Sequence, residues 1–248
     1  MNNRDVLILG ALILVGAVAV ELYSNFSNPF ISYTPTGYSN LLTGSPQMFN
    51  YYKDGVLLGT YTYDLHILKS GNSTQYLLDT YINIKYQFNH ITVNSTHSFL
   101  SEVSHLSYTT QYGLNTTKTT LHCNFTGNNV TVMSNTGGKN QTFSVVLPTN
   151  TVIIDNNDPA HWELLSKSFN AMEGSKYYVN AFVPQGAAVQ QFEYGVDTPH
   201  QFVSIGSKNY ECVVAREPNF EITLYFYKGD LIQFRNDVDN ILIVKQMP

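Results

Sequence analysis

Seven Asn-x-Ser/Thr triplets, at Asn25, Asn72, Asn94, Asn115, Asn124, Asn129 and Asn140, are the residues whose type and spacing point most directly to chemistry. That chemistry is attachment of an oligosaccharide to the asparagine amide, which requires a secretory compartment and a solvent-facing side chain. All seven lie in the first 142 residues and none in the last 106, so the pattern predicts one sugared half and one bare half. An extracellular glycoprotein is the expectation.

Cys123 and Cys212 are the only cysteines, and an oxidising compartment would permit a bridge between them. Period-two spacing puts Cys123 on the face of Leu121 and Phe125, and Cys212 on that of Tyr210 and Val214. A disulfide is expected; two buried thiols acting as small hydrophobes are the alternative. Metal chemistry finds little support. His90, His97 and His105 are spaced by seven and eight residues, and His122 beside Cys123 points to the opposite strand face. A blue-copper order is excluded because Cys212 follows the last histidine, His200. Asp155-Asn156-Asn157-Asp158 offers oxygens to Ca²⁺ but reads better as a turn feeding a helix cap. Glu211, Glu217 and Glu221 with Arg216 read as a solvated hairpin end rather than an acid/base pair. No nucleophile elbow, phosphate loop or His-Glu-x-x-His is present, so no catalytic residue, metal or cofactor is assigned.

The elements that position these residues begin with an apolar run, Val6 to Val20, preceded by Arg4 and closed by Glu21. Residues 1–23 read as a signal anchor, with the rest outside the cell, or as a signal peptide cleaved after Ala17-Val18-Ala19. Residues 24–47, rich in Ser, Asn, Pro and Tyr, read as an extended tether. Residues 48–248 then form one extracytoplasmic β domain. Charged residues make up only 12 % of the chain, and the net charge of −5 with no basic stripe argues against a nucleic-acid partner. Residues 151–248 carry seven Lys/Arg against twelve Asp/Glu, so the bare half is the acidic one and the expected contact surface for a protein partner.

Within the domain, period-two alternation dominates: Tyr61, Tyr63, Leu65 and Ile67 on one face, and Ile82, Ile84, Tyr86 and Phe88 likewise. Similar runs follow at Thr119–Phe125, Val130–Met133, Thr142–Leu147, Tyr177–Val183, Val189–Tyr194, Tyr210–Ala215, Glu221–Tyr227, Leu231–Phe234 and Ile241–Val244. Gly-containing turns punctuate them as hairpins. One helix is predicted, capped by Asp158 with Pro159 at its first position, carrying Trp162, Leu165, Phe169 and Met172 on one stripe and stopped by Gly174. Residues 92–106 fit a strand or a short helix. The fold expected is mainly β: a curved antiparallel sheet, half-barrel or sandwich, covering one amphipathic helix and preceded by one transmembrane or signal helix.

Three pieces, the Tyr52-Lys53-Asp54-Gly55…Gly59-Thr60-Tyr61-Thr62-Tyr63 hairpin, the Asp158-Pro159…Trp162…Leu165 helix and the Tyr227-Lys228-Gly229-Asp230-Leu231-Ile232 hairpin, resemble the half-open β-barrel of periplasmic lipoprotein carriers. That resemblance spans about 190 residues and implies a concave apolar face able to hold a lipid-like ligand; it designates no binding residue. Three roles therefore stand as expectations: a membrane-tethered glycoprotein with a non-enzymatic binding role, a subunit of a surface filament or envelope layer, and a carrier or sensor of a hydrophobic ligand.

Overall fold

A computed structural model describes residues 30–38, 41, 43–71, 73–155 and 157–247. The predicted N-terminal helix, Asn25 and Asn72 lie outside the described residues. The strands are β1 (Phe30–Ser32), β2 (Gln47–Lys53), β3 (Val56–Ser70), β4 (Ser73–Tyr86), β5 (Asn89–Ser101), β6 (Ser104–Leu114), β7 (Thr117–Thr126), β8 (Asn129–Thr136), β9 (Lys139–Val146) and β10 (Thr151–Ile153). The helix α1 (Pro159–Lys167) follows, then β11 (Lys176–Val183), β12 (Ala188–Val196), β13 (Gln201–Ile205), β14 (Lys208–Glu217), β15 (Ile222–Tyr227), β16 (Asp230–Asn236) and β17 (Ile241–Lys245). The protein is mainly β, as the alternation predicts.

All seventeen strands join one open sheet, in which β17 pairs with β2 and so links the two halves of the chain. The run from β2 to β9 is a meander of antiparallel hairpins, and residues 92–106 resolve as two strands and a turn. At the other end β1 and β10 lie along β11, both parallel to it.

The sheet is rolled. Val152, Ile154, Val179 and Ala181 pack in the main core with the helix and β3, while their alternates Ile153 and Phe182 pack against Cys123, Phe125, Val130 and Val132. Hence the inner face of β6–β8 laps over the outer face of β10–β11, with Phe125 and Phe182 in edge-on ring contact at 6.1 Å. Curling of this kind is how a strongly twisted sheet of many strands buries its apolar face.

Inside the roll, α1 is buried on all sides, including His161, Glu163 and Lys167. The expected amphipathic helix with one wet face is therefore corrected to an enclosed one. It also ends earlier than the apolar stripe suggests. Ser168 Oγ donates to the Leu165 carbonyl, and the Ser168 carbonyl accepts from Thr36 N–H, which draws the chain out of the helix before Phe169. Phe169 then packs edge-on against Tyr33 and Tyr177. These contacts change the reading of residues 24–47 too: Tyr33 is buried with its hydroxyl 2.8 Å from Ser168 Oγ, and Gly37 N–H donates to Glu102. The described part of that segment is extended but docked.

The predicted disulfide is absent. Both cysteines are free and buried. Cys123 faces into the roll, whereas Cys212 alternates with Val213 and Ala215, which face the main core, and so lies on the opposite side in a small cluster with Val203, Val214, Tyr225 and Ile232. A strand reverses face at every residue, so the two thiols are separated by the sheet itself. Burial pushes the Cys123 thiol up to about 12 and the Cys212 thiol up to about 11.

At Gly59 there is no room between β3 and β4 for a side chain: a Cβ there would lie 2.1 Å from the Asn83 carbonyl oxygen. Gly59→Ala should destabilise the domain by about 2 kcal/mol or more, a fall of several degrees in Tm, because backbone must move to admit one methyl group. A thermal melt unchanged from the native chain would show that the strands are not held this close.

Candidate functional site

Cross-strand register lays side chains on the inner face of β3–β7 in rows. Tyr63, Thr80, Ser95, Thr110 and Leu121 form one row; Tyr61, Ile82, Val93 and Tyr112 form the next; Gly59, Ile84, Ile91 and Leu114 form the third. The first row is polar in its middle, and the N-terminus of α1 sits against it. The other two are largely apolar and, beyond Tyr61, remain uncovered by the helix.

Between them lies a cavity of about 500 Å³. Leu58, Ile82, Ile84, Ile91, Val93 and Ile241 supply much of its wall, and Asp155, Asp158, Thr80 and Ser95 its inner end. That volume is within the roughly 300–1,000 Å³ of small-molecule sites. Ile82, Ile91 and Val93 point inward yet are only half-buried, so the cavity communicates with solvent.

The two aspartates are fixed by their own protein donors. Asp158 caps the helix: its Oδ1 accepts from Ala160 N–H at 3.1 Å and from Tyr61 Oη at 2.6 Å, and its Oδ2 from Thr80 Oγ1 at 2.8 Å. Asp155 Oδ1 accepts from Asn157 N–H, and its Oδ2 from Tyr108 Oη at 2.9 Å and from Gln185 Nε2 at 2.5 Å. Among the described residues no basic side chain forms an ion pair with either. Burial raises the pKa of both, and the charge of Asp158 raises Asp155 further. The same acids, with burial foremost, hold the Tyr61 and Tyr108 hydroxyls well above the usual range.

Behind the aspartates lie three histidines, two of them hydrogen-bonded to each other and the third, His161, in edge-on ring contact with His97 at 5.3 Å. His105 Nε2 donates to the Thr151 carbonyl at 3.1 Å, which leaves its Nδ1 to accept from His97 Nε2–H at 3.2 Å. His161 Nδ1 accepts from Asp155 N–H at 3.0 Å, so its proton rests on Nε2. Burial lowers all three: His105 and His161 fall to about 4, and His97 also drops well below 6.5. Lower on the helix, Lys167 Nζ lies 3.1 Å from Glu163 and 2.9 Å from Asp230, while Tyr63 Oη donates to Glu163 at 2.7 Å. That set ties α1 to the β15–β16 hairpin.

The sequence-derived candidates are distributed differently. Asn94, Asn115, Asn124, Asn129 and Asn140 are all exposed, on strands or hairpin ends. Of the histidines weighed and set aside as metal ligands, His97 and His105 meet, with His161 in ring contact beside them; His90 bonds Asn83 at a hairpin, and His122 bonds Thr109. Among the described residues no group of three His, Cys, Asp or Glu side chains suits a metal ion. Asp155 and Asp158 do serve the turn and cap, with Asn156 outside the described residues. The glutamate cluster is dispersed: Glu217 is buried and accepts from Asn219 and Phe220 N–H, Arg216 pairs with Asp197 at 2.6 Å, and Glu211 approaches His200 at 3.6 Å. What sequence reading missed is the polar row Thr80–Ser95–Thr110 beneath the helix; alternation with small polar residues at inward positions is its only trace. Comparison with protein-family models, curated proteins and solved structures finds no match.

Two measurements probe this interior. Lys167→Met should cost about 3–5 kcal/mol in chemical unfolding, because it leaves two carboxylates without their cation, and adding Glu163→Gln should restore part of the loss. For the histidines, folded pKa values below the ordinary one mean that the unfolded chain binds more protons between about pH 6.5 and 4. Their contribution is complete above that window and is lost as pH falls through it; the raised aspartates act in the opposite sense. His161→Asn keeps an acceptor for Asp155 N–H but cannot titrate. Going from pH 7 to pH 5, it should lose about 2 kcal/mol less stability than the native chain. Parallel pH dependences would rule out a buried neutral His161.

Proposed function

We propose that this chain is an exported, membrane-tethered, N-glycosylated β domain that binds a small amphiphilic molecule in its concavity, without acting as an enzyme. One observation carries the reading: an apolar cavity of about 500 Å³ ends on two buried carboxyl groups rather than on more apolar side chains. An occupant with a hydrocarbon body along Ile82, Ile84, Ile91 and Val93 and a hydrogen-bonding head near Asp155 and Asp158 fits both ends. This is the ligand class that the resemblance to lipoprotein carriers implies. A binding role is favoured over catalysis because all four carboxylate oxygens already accept from fixed protein donors.

The export reading rests on the apolar run Val6 to Val20 and on the sequons, whose five described asparagines are exposed, as a glycan acceptor must be. The strand directions add an orientation. β1 runs parallel to β11, which ends at the cavity-lining Val183, so the chain enters at the end remote from the cavity. An anchored domain would then present the cavity away from its own membrane. The acidic second half, free of sequons, remains the surface proposed for a protein partner.

Ile82→Trp with Val93→Trp should fill the cavity from its half-buried wall. Native mass spectrometry of the chain released from its own membrane should show a bound small molecule that the double variant lacks. A dansylated long-chain amine should bind the variant at least tenfold more weakly at similar Tm. Equal binding of this probe by both proteins would refute the proposal.

A further inference from the structure

The two boundaries of the sheet are treated very differently. At one, β1 and β10 are three residues each, parallel to their neighbour, and lie where β6–β8 lap over the sheet. At the other, β9 is eight residues long, in unbroken register with β8 from Thr136↔Lys139 to Asn129↔Val146, and no described strand pairs with its free side. Seven of its residues are exposed and Val145 is half-buried. Sheet edges are normally blunted by proline, by bulges, or by charges along the strand, because unpaired N–H and C=O groups recruit other strands. Strand β9 has none of these devices beyond Lys139 at its first position. It also exposes Phe143 (48 %) on the inner face and Val146 (73 %) on the outer one.

We propose that β9 is an interface that takes β9 of a second copy of this chain, antiparallel, with Phe143 on the two-fold axis. A second copy is favoured because head-to-tail pairing would need an open strand at the opposite boundary, and that boundary is short and covered. Isologous pairing consumes both long edges at once and closes the assembly. The register follows from the pleat. A two-fold axis perpendicular to the sheet keeps faces matched, so residues of the same parity must oppose one another. Phe143 then meets its own copy on the inner face, Gln141 meets Val145, and Thr142 meets Ser144. An aromatic pair on the axis is among the favourable cross-strand contacts. The strand's one charge is tolerated: the two Lys139 side chains stand four residues either side of the axis, about 26 Å apart and well beyond the screening length at physiological salt. Asn140 alternates onto the outer face, so a glycan there projects from the sheet and not along its edge.

The pairing is independent of the cavity ligand, and its test uses the full-length chain with its two native thiols buried. Phe143→Cys should give a disulfide-linked dimer under mild oxidation, because cross-strand Cα separations of about 4.5–5.5 Å suit that bond, whereas Lys139→Cys should not. Ser144→Lys, at an exposed outward position outside every Asn-x-Ser/Thr triplet, should weaken dimerisation at least tenfold in sedimentation at unchanged Tm. A chain that stays monomeric at all accessible concentrations, equal crosslinking at both cysteine positions, or an unaffected Ser144→Lys dimer would each overturn the proposal. A monomer is also what results if residues before Phe30 cover the edge of their own chain.

Discussion

Asp158 holds three elements together through one carboxylate. Ala160 N–H and the Tyr61 hydroxyl reach its Oδ1, and Thr80 reaches its Oδ2, so helix, β3 and β4 converge on a single buried acid. A helix enclosed on all sides cannot rely on water for its unpaired N-terminal amides, so the cap is obligatory rather than a refinement. Satisfying it with a side chain that also engages the sheet fixes the helix at one height within the roll. That height leaves the two outer rows of the inner face uncovered, and the cavity is the space that results.

The same constraint recurs at every polar group taken into the roll. Glu163 and Lys167 are one helical turn apart and would form a minor surface pair on an exposed helix. Enclosed, each needs every valence engaged, and Tyr63, the Leu231 amide and Asp230 provide for that. His97 and His105 meet the requirement only in part, by remaining neutral and passing donor to acceptor along a line that ends at the Thr151 carbonyl; His97 Nδ1 and the Nε2 of neighbouring His161 have no hydrogen-bond partner among the described residues. Polar groups thus fix how the roll closes, while the apolar rows provide most of the driving force for burial.

Much of this was legible in the sequence wherever the signal is local. Alternation locates the strands from β7 onward to within a few residues, except the short β10 and β13, and Asp158-Pro159 marks the helix start. Even the sequons obey the strand period. Asn and Thr two residues apart share a face, so Asn94 with Thr96, Asn124 with Thr126, and Asn140 with Thr142 are exposed together, whereas Ser95 and Phe125 between them are buried. What failed is what depends on the rolling. Alternation says that Cys123 and Cys212 each lie among apolar residues, but it cannot say that these lie on opposite sides of one sheet. The apolar stripe through Phe169 mimics a longer helix because packing against Tyr33 and Tyr177 produces the same spacing after the helix has stopped. The histidine cluster brings together positions 97, 105 and 161 from two strands and a helix, so no spacing in the sequence announces it.

Rolling also explains why the two ends of the sheet differ. The inner boundary can be short and parallel because the lap of β6–β8 shields its backbone groups and buries Ile153 and Phe182 from outside. The overlapping end receives no such cover. The inward row that begins with Leu65 and Leu78 in the core continues through His97, Tyr108, Cys123 and Val132, and runs out at Phe143, half in solvent. An apolar row that outlasts its own core is where burial is still to be gained, and the hydrogen-bonding groups of the free strand lie beside it. The chain therefore presents backbone valence and apolar surface at one place, as a direct consequence of rolling a sheet whose last hairpin extends past the edge it covers.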